Sequence, residues 1–559
     1  MRSLPLPALT EEEFGLYEKT GNRLIYEDSY FGRRKALAVF GLLSLWYHRE
    51  EDLNKLCEII REVCAEKTWA LPAHVDRSKE GWERTVDLFA CETGQTLAEI
   101  VTNLKEYIPE ELAAEVKREA VYRLIDSYLE QPFGTIRWEK FYNNWVAVCA
   151  GSLGSIAMYL LNDEKEKQRA CLDRVISTMP LYLKGMMDDG ACPEGLSYFT
   201  YGMTYFTGFA EQLAEFSHGE TDLMENPKVE RIAKFQQLCY LSGGCTISFS
   251  DGDRRDKFRL GLTCYLAMRY PGVKLPPMES VMKLNEDSCY RFMALYRDRV
   301  WVEKYLEQSA EDTAENASQN DGESDWYAVL EDAEWAIGNS DNGVSMAVKG
   351  GNNGESHNHN DIGSFLYVKD GEIFLAELGC GEYTRQYFGE ERYDILCNRS
   401  MGHSVPIING RKQMEGAGYR AESFAAGCKD GKGEAVISMA GAYPAGVIDG
   451  LTRKNVFEKG NGRLLITDTF SPSGETKEIV ENLVTQTEPE IVDDETVILT
   501  GKNSRIYIKK AADSGSFTSV KETFSNHKGQ AEDVWLLQWK LPVKGNSVVC
   551  TIETGVCDE

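Results

Sequence analysis

His357 and His359 stand two residues apart in the stretch Gly350-Gly351-Asn352-Asn353-Gly354-Glu355-Ser356-His357-Asn358-His359-Asn360-Asp361-Ile362-Gly363-Ser364-Phe365, in a chain that holds only seven histidines. On a β-strand, residues i and i+2 face the same side. Read as a strand, the stretch lines one wall of a site with His357, His359 and Asp361. Its glycines and asparagines suit a sharp turn and the close approach of another group.

Three further clusters carry side chains suited to chemistry. Tyr142-Asn143-Asn144-Trp145 places two carboxamides between aromatics on a predicted helix. Such amides are either satisfied locally within a bundle, as buried polar groups usually are, or donate to an anionic ligand. The stretch from Asp188-Asp189-Gly190 through Glu194-Gly195 to Tyr198 and Tyr201 runs from a turn into a helix. Tyr198 and Tyr201, three apart, share a helical face. Packing in the core is the commoner fate of such a pair, but a tyrosine just inside a helix start can line a concave surface. His359, Glu377 and His403 form a common Zn²⁺ set; satisfied polar histidines are the ordinary alternative at so wide a spacing.

The elements that must position these groups change character part-way along the chain. Apolar residues recur at helical spacing over 34–48, 51–66, 81–107, 109–131, 137–161, 165–184, 195–218, 229–241, 257–270, 278–284 and 288–308. So many successive helix pairs predict an (α/α) toroid over residues 1–308, since a four-helix bundle has too few places for them. Residues 309–325 are acidic and polar, the signature of a linker. Beyond them, 344–349, 364–369, 373–378, 404–408, 434–439, 451–458, 463–470, 496–499, 504–509 and 534–539 read as strands separated by turns such as Lys459-Gly460-Asn461-Gly462. No helices alternate with them, so residues 326–559 are expected to form an antiparallel β-sandwich.

Composition narrows the function classes. A chain of 559 residues is too long for one core. A formal charge of -28 repels phosphates and argues against nucleic acid or an anionic membrane as partner. The longest apolar run, residues 36–46, is too short to span a bilayer. No signal-peptide core follows the first residues. The 15 cysteines include no Cys-x-x-Cys pair, which suits reduced thiols and a cytoplasmic location.

Taken together, the motifs resemble those of the heparinase II/III-like polysaccharide lyases, a group that includes several alginate lyases. The resemblance covers most of the chain. It rests on the Asn-Asn-Trp helix, the Asp-Gly-x-x-x-Glu-Gly-x-x-Tyr turn ending at Tyr198, His-x-His-x-Asp-x-Gly-Ser-Phe from His357, and an Arg-Ser-x-x-His segment from Arg399. It implies that Tyr198 and His357 are catalytic, and that Asn144, with Asn143 beside it, faces the substrate carboxylate. It implies that His359 and His403 bind a structural Zn²⁺, with Glu377 in a slot the family usually fills with Asp. Asn143, Trp145, Glu194, Tyr201 and Arg399 are the candidate substrate contacts, with Arg385 and Arg392 as further local cations.

The implied reaction is β-elimination across a 1,4-bond to a uronic acid in an anionic oligo- or polysaccharide of glycosaminoglycan or alginate type. Asn144 would stabilise the charge that builds on the carboxylate when C5 loses its proton. His357 would be the base for one C5 configuration with Tyr198 as acid; for the other, Tyr198 could serve as both. A tyrosine base needs a lowered pKa, for which Arg399 or a protonated histidine is a source. A glycoside hydrolase would need two carboxylates across the cleft, Asp189 and Glu194 being the candidates. A metallo-hydrolase of the His-x-His-x-Asp type would need a histidine after Asp361, where Ile362 stands. A non-catalytic carbohydrate-binding protein would leave Tyr198, His357 and Asn144 without a use.

Overall fold

The computed structural model describes residues 5–315, 326–511 and 515–557. Helices fill the first span and antiparallel sheets the other two. Leu24–Tyr47 buries Tyr26, Tyr30, Arg33, Leu37 and Phe40 at three- and four-residue steps, which puts them on one face. Leu88–Asn103, Asn144–Leu160 and Leu196–Phe216 pack side by side and are buried along most of their lengths. Gly154 permits this closeness, because a Cβ there would stand 2.3 Å from the Phe209 ring.

Between the last two of these helices the chain returns through Lys165–Thr178 and Pro180–Gly185. Gly185 then lies against the carbonyl of Tyr142, with only 1.6 Å available to an added Cβ. The helices that start at Asn144 and Leu196 therefore open at the same end of the helical region. Gly185→Ala should push the Tyr142 carbonyl and the Asn143-Asn144 turn away. The expected loss of stability is about 1–3 kcal/mol by denaturant titration.

Five strands, Tyr327–Leu330, Trp335–Asn339, Val344–Lys349, Phe365–Lys369 and Glu372–Leu375, lie side by side in chain order. An eight-stranded sheet includes Gly450–Glu458 and Leu464–Ser471, and a four-stranded sheet centres on Ile479–Thr485 and Ala531–Leu541. Met346, Val348 and Phe365 share one apolar core with Ile437, Phe457 and Ile466 of the eight-stranded sheet.

Residues 242–256 of the helical region dock on these sheets. Ser248 Oγ donates to the Glu377 carbonyl at 3.0 Å, and Arg254 pairs with Glu532 at 2.6 Å. Among the described residues no helix is long and apolar enough to cross a membrane.

Several expected elements take other forms. The stretch 357–361 is not a strand: Val344–Lys349 pairs directly with Phe365–Lys369, and residues 354–364 form an irregular excursion between them. The predicted helix over 137–161 breaks after a 3₁₀ turn, Arg137–Lys140, and restarts at Asn144 because Asn143 caps the new helix. Residues 278–284 hold only a 3₁₀ turn, Met278–Ser280. The last helix, Phe292–Glu315, runs into the stretch read as a linker, and residues 316–325 lie outside the described residues. Edge strands with little burial, such as Ser423–Lys429 and Thr518–Ser525, carry too weak an apolar alternation to be read from sequence.

Candidate active site

A buried carboxylate, Asp251, organises the site from the helical side. Its Oδ2 accepts from His357 Nδ1 at 2.6 Å and from the Tyr383 hydroxyl at 2.9 Å. Its Oδ1 accepts from His359 Nε2 at 3.0 Å, from Arg392 at 3.3 Å and from the Tyr387 hydroxyl. Burial would raise the pKa of this group. The two imidazole hydrogen bonds and the Arg392 charge overrule burial and hold it well below the usual carboxylate range. His357 and His359 thus converge on one acceptor, as the i, i+2 spacing suggests, but through loop geometry.

His357 itself sits at φ +57°, a left-handed conformation that non-glycine residues adopt rarely and mostly where the surroundings enforce it. Donation from Nδ1 to Asp251 leaves Nε2 as the free basic nitrogen. Burial lowers the imidazole pKa, but the Asp251 hydrogen bond and charge outweigh it and the net direction is upward.

Tyr198, in the first turn of Leu196–Phe216, stacks beside it with ring centroids 4.4 Å apart. The Tyr198 hydroxyl lies 2.5 Å from that of Tyr383 and 3.4 Å from His357 Nδ1. Burial, and then the Asp251 charge, push the Tyr198 phenol well above its ordinary pKa. The phenol therefore rests protonated.

Tyr198, His357 and Tyr383 open into a cleft of about 2780 Å³ between the two regions. This is several times the 300–1,000 Å³ of a typical small-molecule pocket. Asn143, Asn144, Trp145, Glu194 and Tyr201 line the same cleft. The Asn143 side chain accepts from the Trp145 amide at 3.2 Å, so it serves as a helix cap. The Asn144 carboxamide makes no hydrogen bond to another described residue and stands at the positive end of its helix.

Glu194 is buried near Asn143, Ser356 and His357, and burial raises its pKa. Its Oε1 has no hydrogen-bond partner. The Tyr201 hydroxyl donates to Glu92 at 2.5 Å, with Arg291 4.0 Å above its ring.

Arg399 does not line the cleft, and its buried Nε is unpartnered. The arginine that reaches the Asp251 cluster is Arg392. Asp189 does not line the cleft either. It accepts from the backbone amides of Ala191, Asp332 and Ala333, so it ties the two regions together and is not half of a hydrolytic pair.

Behind His357, Asp361, Glu377 and His403 bring one ligand atom each to within 4.8 Å of one another, all buried. His403 Nδ1 donates to Glu377 Oε2 at 2.6 Å, and Lys349 pairs with Asp361 at 2.5 Å. His359 is not in that closest set. Its ring lies 5.4 Å from that of His403, and its Nδ1 is buried without a partner, as is Nε2 of His403. Two orphaned imidazole nitrogens beside a buried carboxylate are a donor set that fits zinc. Cys380 lies apart from these residues, 3.2 Å from His527 Nδ1.

Residues 324–547 match the family model described as Heparinase II/III-like, C-terminal. The chain carries a heparinase II/III-like C-terminal domain. This domain supplies His357, Tyr383, Glu377 and His403, and the helical region supplies Tyr198, Asn144 and Asp251. Among solved structures, the heparan sulfate lyase HepC from Pedobacter heparinus superposes with a TM-score of 0.64 at 12% identity, over 100% of this chain and 84% of that one. A heparinase III superposes with a TM-score of 0.64 at 11% identity, over 99% and 86%. The heparinase III named as the BT4657 gene product gives 0.62 at 12% identity, over 100% and 86%. These likenesses establish a shared fold across the two regions. No curated protein matches the chain in sequence.

Proposed function

We propose that the protein is a polysaccharide lyase that cleaves 1,4-bonds to uronic acid residues by β-elimination. One observation carries the reading: Tyr198 and His357, from different regions, meet with ring centroids 4.4 Å apart in a cleft that also presents the uncommitted carboxamide of Asn144. The fold shared with two heparinases III and a heparan sulfate lyase supports it. The frame is an (α/α) toroid against an antiparallel β-sandwich, supported by the apolar core common to the two larger sheets.

In this reading Asn144 donates to the uronate carboxylate and steadies the charge that develops there. His357 Nε2 takes the C5 proton, the C4–O4 bond breaks as C4=C5 forms, and the Tyr198 phenol gives its proton to the departing O4. The burial that keeps Tyr198 protonated favours it as the acid. Solvent then takes the proton from His357 Nε2 and reprotonates the Tyr198 phenolate, which restores the starting tautomer. No two cysteines among the described residues are joined by a disulfide, which supports a reducing, cytoplasmic setting.

Ultraviolet absorbance over a panel of uronate oligosaccharides tests the reading, because the C4=C5 bond is conjugated to the carboxylate. Wild type should produce the absorbance. Asn144→Ala should produce it about 10²–10³-fold more slowly, the usual effect of losing one charge-stabilising donor. New reducing ends without absorbance would establish hydrolysis and end the proposal.

A structural Zn²⁺ held by His359, Glu377 and His403 is part of the proposal. Its contribution would be to tie the segment behind His357 to the sheets. Chelation should then lower the melting temperature by roughly 5–15 °C, from the loss of about 3–4 kcal/mol of ligand binding. His359→Ala should melt at that lower temperature and no longer respond to chelator.

A further inference from the structure

We propose that the protein takes its substrate by a chain end, because a bridge from the helical region to the heparinase II/III-like domain closes the cleft beside the catalytic pair. The inference rests on the lyase reading for its chemistry and on the following contacts for its geometry.

Gly21 ends the short helix Leu16–Thr20 at φ +77° and is buried. A Cβ there would stand 2.9 Å from Cβ of Arg385 and 3.6 Å from its backbone nitrogen. The first turns of the chain thus rest on the loop that carries Tyr383. Immediately after Gly21, Arg23 pairs with Glu27 at 2.5 Å. Burial raises the Glu27 pKa, and the Arg23 charge and hydrogen bond lower it. Arg23, Glu27 and His527 all line the cleft.

This wall stands close to the chemistry. The His527 ring is 4.6 Å from that of Tyr383, and the Tyr383 hydroxyl is 2.5 Å from that of Tyr198. The broad docking of residues 242–256 joins the two regions a second time, through Asp251 and its neighbours. A polymer lying across Tyr198 would have to pass between these two junctions, whereas a chain terminus can enter and stop. Phe388 supplies a reason for the terminus to stop there. It is 52% exposed, lines the cleft, and its ring lies 4.8 Å from Tyr383, where it offers an apolar platform for the last sugar ring.

Time-resolved product sizing on a defined uronate polymer tests the proposal. Wild-type enzyme should release one shortest unsaturated product from the first turnovers while the remaining polymer keeps nearly its full length. An early ladder of intermediate sizes would overturn the proposal. The Gly21→Cys/Arg385→Cys variant adds a second arm, since a small shift brings the two Cβ atoms into disulfide range. The oxidised, locked form should cleave oligosaccharides within a factor of about two of its reduced form, with the same product. Activity that returns only on reduction would show that the bridge must open to admit substrate, and would also overturn the proposal. If reducing ends appear without the absorbance, the elimination reading fails, and the sizes of those products still decide whether attack is from a chain end.

Discussion

Replacing Asp251 by Asn lowers kcat by a factor of about 10²–10⁴, the range expected when a catalytic imidazole is held in the wrong tautomer. As a carboxylate, Asp251 can only accept, and it takes the Nδ1 proton of His357 at 2.6 Å. A carboxamide can turn its NH₂ toward Nδ1, which moves the ring proton to Nε2, the atom that must receive the C5 proton. The pH profile separates this from simple misfolding. The Asp251 hydrogen bond and charge raise the His357 pKa against burial. Wild-type kcat/KM should therefore climb with pH as the imidazole becomes neutral, with its midpoint displaced upward from that of an exposed histidine. In Asp251→Asn whatever activity remains should rise at lower pH, because the neutral amide no longer favours imidazolium. Stability moves too. The depressed pKa of Asp251 contributes stability that is present above the unfolded carboxylate value and lost as pH falls through the folded one. The raised pKa of His357 contributes stability that is present below the unfolded imidazole value and lost as pH rises through the folded one. A variant with an unchanged acid limb and a fall in kcat proportional to lost folded protein would refute the positioning role.

Asp251 also marks the limit of what the sequence discloses. Tyr198, Asn144 and His357 stand out locally: a tyrosine just inside a helix, paired amides between aromatics, a histidine beside a second histidine. Asp251 lies in Ser248-Phe249-Ser250-Asp251-Gly252-Asp253, which reads as an ordinary polar turn. Its importance arises only when that turn docks on a loop 106 residues away. Tyr383 and Arg392 are hidden for the same reason, each being one polar or aromatic residue among several in a stretch without periodicity. The misread strand at 357–361 has a different cause. Alternation of polar types imitates a two-sided strand, but Gly350, Gly351, Gly354 and Gly363 bracket it with positions better suited to turns. Asn143 carried its own signal, since Asn is among the preferred helix caps, but the apolar residues on both sides mask the break. The division into helical and sheet regions is legible because it depends on period alone, 3.6 against 2, summed over hundreds of residues.

Tyr198→Phe should reduce kcat on natural oligosaccharides by about 10³-fold or more, toward the upper range for losing a positioned general acid. The substitution keeps the ring that stacks on His357 at 4.4 Å and removes only the hydroxyl. Tyr383 then loses one neighbour but keeps its 2.9 Å hydrogen bond to Asp251, so the cluster has little reason to rearrange. Tyr383→Phe should cost less, because it leaves both His357 and the Tyr198 phenol in place. The decisive comparison uses a substrate whose group at C4 departs without protonation. If Tyr198 is the acid, Tyr198→Phe should cleave that substrate nearly as fast as wild type, since the proton it supplies is no longer needed. If Tyr198 instead removes the C5 proton, the variant stays inactive on both substrates. The burial that pushes the phenol well above its ordinary pKa makes the first outcome the expected one, because a phenol that rests protonated has a proton to give and no lone pair charged to take one.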